Sequence, residues 1–335
     1  MKRWTIVALI AGAAGFSVLL VHFGIGAIWE AIARLGWAGF GVIIAFHLAL
    51  VVLLGLAWWQ VARFATTVRV RCFVWARLIR DAGGEALPFS QLGGYVLGAR
   101  AASLCGVPGA VAAATTVVDL TMELVAKLPY MLIGLALLTM IRPHNDLVWP
   151  ILGGTLLLGI AALLFIIAQA RGTRLIAHLG TRIATRWYAS RPTSAVTVQT
   201  MIHRAYARQA DVARSLLTLL IAWVLSAFEI WLPLWFMGER IGLAAAVVID
   251  SLLVAIRGFA FVVPNAIGVQ EGVYVMLGGL FGVPPSVALA LSLLRRGRDF
   301  AIGIPALLAW QALEGHRAWR RLGSFEVTTE PEPPL

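Results

Sequence analysis

Asp119, Glu123 and Lys127 stand at positions i, i+4 and i+8 of an otherwise apolar stretch, so a helix carries all three along one face. A bare charge in hydrocarbon costs on the order of several kcal/mol, which turns that face towards protein or water. Such a row can bind a substrate or pass a proton. It can also neutralise itself as a Glu123–Lys127 pair near the interface, with Asp119 among the headgroups. Glu229 and Asp250 are isolated acids in apolar runs, and Arg295, Arg296, Arg298 and Asp299 read as an interfacial cluster that fixes topology.

Two Gly/Pro-interrupted segments hold the other candidates. The first runs Arg80-Asp-Ala-Gly-Gly-Glu-Ala-Leu-Pro88-Phe-Ser-Gln-Leu-Gly93-Gly94-Tyr and closes with Gly106-Val107-Pro108. The second starts at Arg257, continues Pro264-Asn265-Ala-Ile-Gly268-Val-Gln-Glu271-Gly, and closes with Gly282-Val283-Pro284. Pro264 and Gly282 each lie 176 positions after their counterparts Pro88 and Gly106, and Val287-Ala288 falls against Val111-Ala112. This spacing is that of an internal duplication, with repeat elements over about 80–118 and 257–294. Pro removes an amide donor and Gly frees the backbone, so both segments break helices. Broken backbone at membrane depth is tolerated where it lines a cavity, and paired breaks point to a transporter's substrate pathway. The competing role of these glycines and prolines is close helix packing with a kink. The pathway candidates are Arg80, Pro88, Gly93, Gly94, Asp119, Glu123, Arg257, Pro264, Asn265, Gly268 and Glu271. Of these, Arg257 can hold a phosphate or simply mark a helix end.

No Walker-type phosphate loop, Gly-x-Ser-x-Gly elbow or His-Glu-x-x-His pair is present, so any transport is facilitated or gradient-driven. Cys72 and Cys105 have no metal-ligand spacing and the six histidines are scattered singly, so no catalytic residue, metal or cofactor is expected.

The elements that must position these residues are membrane helices. Of 335 residues, 60% are hydrophobic and 13% charged, a composition that excludes an ordinary soluble domain. A bilayer crossing takes roughly 20 apolar residues. Such runs occur at Trp4–Phe23, Trp37–Gln60, Val117–Ile141, Leu147–Ala170, Ser215–Met237 and Leu243–Val263, with a shorter one at Phe300–Leu313. The expected fold is all-α: one polytopic membrane domain over 1–323, of about eight crossings, with the two broken segments able to re-enter. The first run has no small-residue cleavage site and is expected to be retained.

The net charge of +11 sits in loops, where the positive-inside rule and anionic headgroups account for it better than nucleic acid does. Arg63, Arg69, Arg71, Arg77 and Arg80 follow the second run, and a long Arg-rich stretch covers 171–214. Both are expected in the cytoplasm with the two termini. Within the second stretch Leu175, Ile176, Leu179, Ile183 and Trp187 have the spacing of an amphipathic helix, against an ordinary solvated connector. Residues 324–335 are acidic and Pro-rich and are expected to be disordered.

The Arg80–Pro108 block, the acidic helix at Asp119 and Glu123, and the Pro264-Asn-Ala-Ile-Gly-Val-Gln-Glu-Gly block resemble the lysylphosphatidylglycerol synthase transmembrane region, a flippase-like family. Within it the chain is most similar to members associated with hopanoid biosynthesis. The resemblance implies movement of a lipid, hopanoids included, across or out of a bacterial inner membrane. Full-length synthases of the family add a soluble aminoacyl-transfer domain, whereas this sequence ends in a short tail, so transferase activity is not expected. Two rivals stay open: a membrane enzyme of lipid or hopanoid modification built on Asp119, Glu123 and Glu271, and a scaffold that recruits biosynthetic enzymes through 171–214.

Overall fold

The computed structural model describes residues 25–86, 91–142, 148–170, 195–259 and 266–323, and among them every element is a helix. In chain order these are α1 (Ile25–Ala62), α2 (Val70–Ala86), α3 (Gln91–Leu104), α4 (Gly109–Ile141), α5 (Val148–Ala170) and α6 (Ala195–Ala207). They continue with α7 (Gln209–Ser226), α8 (Phe228–Phe236), α9 (Leu243–Phe259), α10 (Val269–Leu280) and α11 (Pro285–Gly323). The first apolar run, the 175–187 pattern and the acidic tail fall outside the described residues.

Three stretches are long and apolar enough to cross a bilayer: Gly26–Ala62, Gly109–Ile141 and the joined α7–α8 rod Gln209–Phe236. Large aliphatic side chains such as Leu132, Ile133, Leu157, Leu164 and Leu217 are exposed around the exterior, as suits contact with lipid tails. The chain is an all-α polytopic membrane protein. The described residues hold fewer full-length spans than the eight expected. Of the expected run Leu243–Val263, the described part is α9, 17 residues that form one arm of a hairpin, and residues 260–263 lie outside the described residues. The Arg-rich stretch ends in helix rather than loop, because α6 buries Val198, Ile202 and Ala205 and α7 already begins at Gln209.

The duplicated spacing has a structural counterpart. α2 and α3 form an antiparallel pair followed by the long helix α4, and α9, α10 and α11 repeat that order. Each second arm ends in the same turn. Gly106 (φ +100) donates to Ser103 O and Val107 to Ala102 O; Gly282 (φ +80) donates to Gly279 O and Val283 to Gly278 O. This is the Schellman arrangement, and its left-handed residue favours glycine at both positions. Pro108 and Pro284 then open the long helices, each accepting the amide of the alanine four residues on, Ala112 and Ala288.

The two units lie at opposite ends of the molecule. Phe64, Val111 and Met201 surround one depression, so the end of α1, the start of α4 and α6 share one end. Arg142 at the end of α4 donates to Leu280 O at the end of α10, so these share the other. Two hydrophobic cores follow the same division. One gathers Trp58, Phe73, Ile79 and Met122 around the first hairpin; the other gathers Leu138, Leu252, Leu277 and Leu289 around the second.

Glycine allows the first hairpin to close. A Cβ on Gly94 would collide with the Arg80 carbonyl oxygen and lie 2.9 Å from the Gly84 amide nitrogen, and one on Gly98 would lie 2.7 Å from Arg80 Cβ. A Cβ on Gly84 meets open space. Gly94→Ala is expected to cost about 1–3 kcal/mol through overpacking. Gly84→Ala is expected to be neutral or stabilising by up to about 1 kcal/mol. Thermal unfolding of the two variants in detergent measures the contrast.

Candidate functional site

With α3 pressed onto its backbone, α2 directs Arg77 and Arg80 at the acids of α4. Arg80 donates through Nη1 to Asp119 Oδ2 (2.5 Å) and through Nη2 to Glu123 Oε2 (2.6 Å). Arg77 donates from Nη1 to Glu123 Oε2 (3.0 Å) and from Nε to Asp81 (2.8 Å), while Lys127 Nζ lies 3.1 Å from Glu123 Oε1. The Arg80 guanidinium lies 4.1 Å from the Tyr95 ring centroid, and Lys127 sits 4.9 Å from that of Trp223. Three cations thus meet three carboxylates. Arg77, Arg80, Asp119 and Glu123 are all buried, and Asp119 Oδ1 is left without a hydrogen bond.

The second unit holds a network with the roles exchanged. Counted at the 176-residue offset, Asp119 corresponds to Arg295 and Glu123 to Asp299, so the sign changes at the first position and is kept at the second, and Arg295, Arg296 and Arg298 make the long helix the source of cations here. Arg298 Nη1 lies 2.7 Å from Glu229 Oε1 and its Nη2 donates to Asp299 (2.7 Å). Arg295 donates to the Tyr274 hydroxyl (3.0 Å) and to Asp250 Oδ1 (3.4 Å), with Glu229 Oε2 at 3.6 Å. Tyr130 and Ser226 donate to the other Asp250 oxygen at 2.8 and 2.5 Å. Glu271 accepts from Arg296 (3.0 Å), from Ser292 (2.9 Å) and, closing the start of α10, from the Gly268 amide (2.7 Å). His47 of α1 completes the set, its Nδ1 2.6 Å from Glu229 Oε1.

The described ends of the arms α2 and α9 meet between the two networks. Arg257 near the end of α9 reaches Glu85 near the end of α2 at 3.3 Å, and a Cβ on Gly303 of α11 would lie 3.4 Å from that of Ala82. This pair is part-exposed, with 23% of the Arg257 side chain and 31% of the Glu85 side chain accessible. Open space adjoins it at Gly84.

The sequence candidates divide accordingly. Arg80, Gly94, Asp119 and Glu123 come together, with Gly93 beside them on α3; Gly268 and Glu271 belong to the second network and Arg257 to the meeting ends of α2 and α9. Pro88, Pro264 and Asn265 lie outside the described residues. Several placements are corrected. Arg77 and Arg80 are interior residues of α2 rather than part of a headgroup loop, since only carboxylates on α4 and α2 neutralise them. Glu229 and Asp250 are not isolated: Arg298, 3% exposed, pairs with Glu229, and Arg295 pairs with both acids. Sequence reasoning missed Arg77, His47, Tyr130, Ser226 and Tyr274. The repeat offset carried a signal for the second network, because it lays Arg295 and Asp299 on Asp119 and Glu123.

Removing one partner of a buried ion pair leaves a charge with no compensation. Glu123→Gln is expected to destabilise by about 3–5 kcal/mol. Adding Arg77→Met should recover part of that loss, since the cation freed by the first change disappears. Unfolding of the single and double variants in detergent gives the coupling.

A family model described as the lysylphosphatidylglycerol synthase TM region matches residues 5–306. No curated protein matches the chain. No solved structure matches it either. A match over this much of the chain, on a helical membrane fold, sets it in a lipid-related context: the chain belongs to the lysylphosphatidylglycerol synthase transmembrane-region family.

Proposed function

We propose that the chain is a flippase-like lipid translocator of a bacterial inner membrane, in which two hairpins re-enter the bilayer from opposite faces. The observation that carries this reading is the part-exposed Arg257–Glu85 pair where the described ends of α2 and α9 meet. Inverted, broken elements that converge near the middle of the membrane form the substrate site of many transporters. A headgroup oxygen can take the place of Glu85 at Arg257, while the tails stay against the apolar exterior. Arg80 is the weaker headgroup ligand, being buried and already bound to two carboxylates. Its part is to hold the first hairpin in place.

Charge placement supports cytoplasmic termini. Arg63, Arg69, Arg71, Arg204, Arg208 and Arg214 gather about the α1–α2, α4 and α6–α7 end, whereas exposed Trp149 and Trp235 border the other, in the manner of an interfacial belt. Kinship makes hopanoids candidates for the cargo, and Arg257 favours a lipid with an anionic or phosphate-bearing head. The carboxylates that a lipid-modifying enzyme would use, Asp119, Glu123 and Glu271, are each held by arginine, which supports transport over chemistry. The scaffold reading is weakened by α6, whose apolar face is packed into the first core, and by Arg63, which pairs with Asp211 of α7.

Purified protein in vesicles is expected to accelerate the exchange of a labelled anionic lipid between leaflets. Arg257→Ala removes one charge-assisted contact of about 1.5–3 kcal/mol, so the rate should fall about tenfold or more. Rates equal to those of protein-free vesicles, across zwitterionic, anionic and hopanoid lipids, would count against the reading.

A further inference from the structure

The second network has a charge count that the first does not. Arg295 and Arg298 face Glu229, Asp250 and Asp299, while Arg296 and Glu271 form a neutral pair beside them. Among the described residues this leaves one carboxylate more than there are guanidinium groups. Glu229 and Asp250 are 6% and 1% exposed, and an excess charge at such a position is costly. A single proton restores neutrality, and the group placed to carry it is His47, whose Nδ1 lies 2.6 Å from Glu229 Oε1.

His47 is also the part of the network that reaches outward. Its side chain is 22% accessible against 3% for that of Glu229, so the imidazole forms an outer edge of the network. The groups that face it are Glu229 from α8 and, through that carboxylate, Arg295, Arg298 and Asp299 from α11 and Asp250 from α9. Tyr130 and Ser226 both donate to Asp250, so that carboxylate is already satisfied within the network and His47 is its outward member. Arg295 joins this end to the hairpin, since it touches Glu229, Asp250 and Tyr274 together.

We propose that the His47–Glu229 pair is a proton-binding site that couples the transport cycle to a proton gradient, an inference that rests on the lipid-translocation reading. With His47 protonated the network is neutral and α11 is held to α8 and α9. Loss of that proton leaves Glu229 in excess and draws Arg298 and Arg295 towards it. Arg295 then loosens its hold on Asp250 and Tyr274, and the second hairpin is freed to shift against α11. The proton moves between His47 and bulk water, and no covalent bond other than its own is made or broken.

Two measurements test this. In proteoliposomes with one proton moved per lipid, a gradient of one pH unit drives about tenfold asymmetry of a labelled lipid between leaflets. His47→Gln and His47→Arg should both abolish that asymmetry, the second because a fixed charge cannot cycle. Translocation by the wild type with no response to the gradient overturns the coupling while leaving the lipid reading intact. The second measurement is nitrogen-15 NMR of labelled histidine in the full-length protein in detergent, with the His47 signal assigned by its absence in His47→Gln. An imidazolium at neutral pH that becomes neutral in Glu229→Gln upholds the site, and does so even if no lipid moves, an outcome that sinks only the lipid reading. A neutral His47 in the wild type overturns the proton site.

Discussion

Everything in this fold depends on the need to neutralise charge away from water. An arginine in the membrane interior is stable only with carboxylates at hydrogen-bond distance, and each such contact fixes the helix that carries it. Arg80 between Asp119 and Glu123 sets how α2 lies on α4. Arg298 and Arg295 between Glu229 and Asp250 set how α11 lies on α8 and α9. Among the described residues the hairpin arms run 12 to 17 residues, so bilayer-spanning length does little to hold them. The ion networks, with the Schellman turns at Gly106 and Gly282, do that work instead.

The two networks share a plan and differ in sign. In the first unit the long helix gives Asp119 and Glu123 and the hairpin gives Arg77 and Arg80; in the second the long helix gives Arg295, Arg296 and Arg298, and of the acids all but Asp299 come from the hairpin and from α8. A duplicated element can diverge in this way because neutrality constrains the sum of charges and not which helix bears which. The first network balances three cations against three carboxylates, with Lys127 and Asp81 at its part-exposed edge. The second has His47 at its rim, where protonation changes the sum. One half is then suited to anchoring and the other to switching.

Much of the fold was legible in the residues, and the limits have physical causes. Membrane class and helical content follow from apolar run length, and the hairpin ends follow from Gly-Val-Pro at 106–108 and 282–284, because a left-handed turn needs glycine and the next helix tolerates proline at its start. Run length could not show that Leu243–Phe259 pairs with α10, since an apolar hairpin arm buried among other helices has the composition of a crossing. Asp119, Glu123 and Arg80 were visible as charges in apolar surroundings, but their pairing depends on contacts between residues about 40 positions apart. His47 gave no signal, because a lone histidine in an apolar run acquires its meaning only from Glu229, which lies 182 positions away. The Arg295–Asp299 group hid its pairing for a related reason: the partnering acids are spread over three other helices.

The central claim is that equivalent turns of the two units lie on opposite faces of the membrane. Cys105 stands one residue before the Gly106 turn, and Phe281 holds the matching place before Gly282. In intact and inverted membrane vesicles carrying Cys72→Ala, a membrane-impermeant maleimide should label Cys105 from the cytoplasmic face only. With Cys105→Ala and Phe281→Cys added, labelling should occur from the opposite face only. Labelling of both positions from the same face would contradict the inverted arrangement and the account built on it.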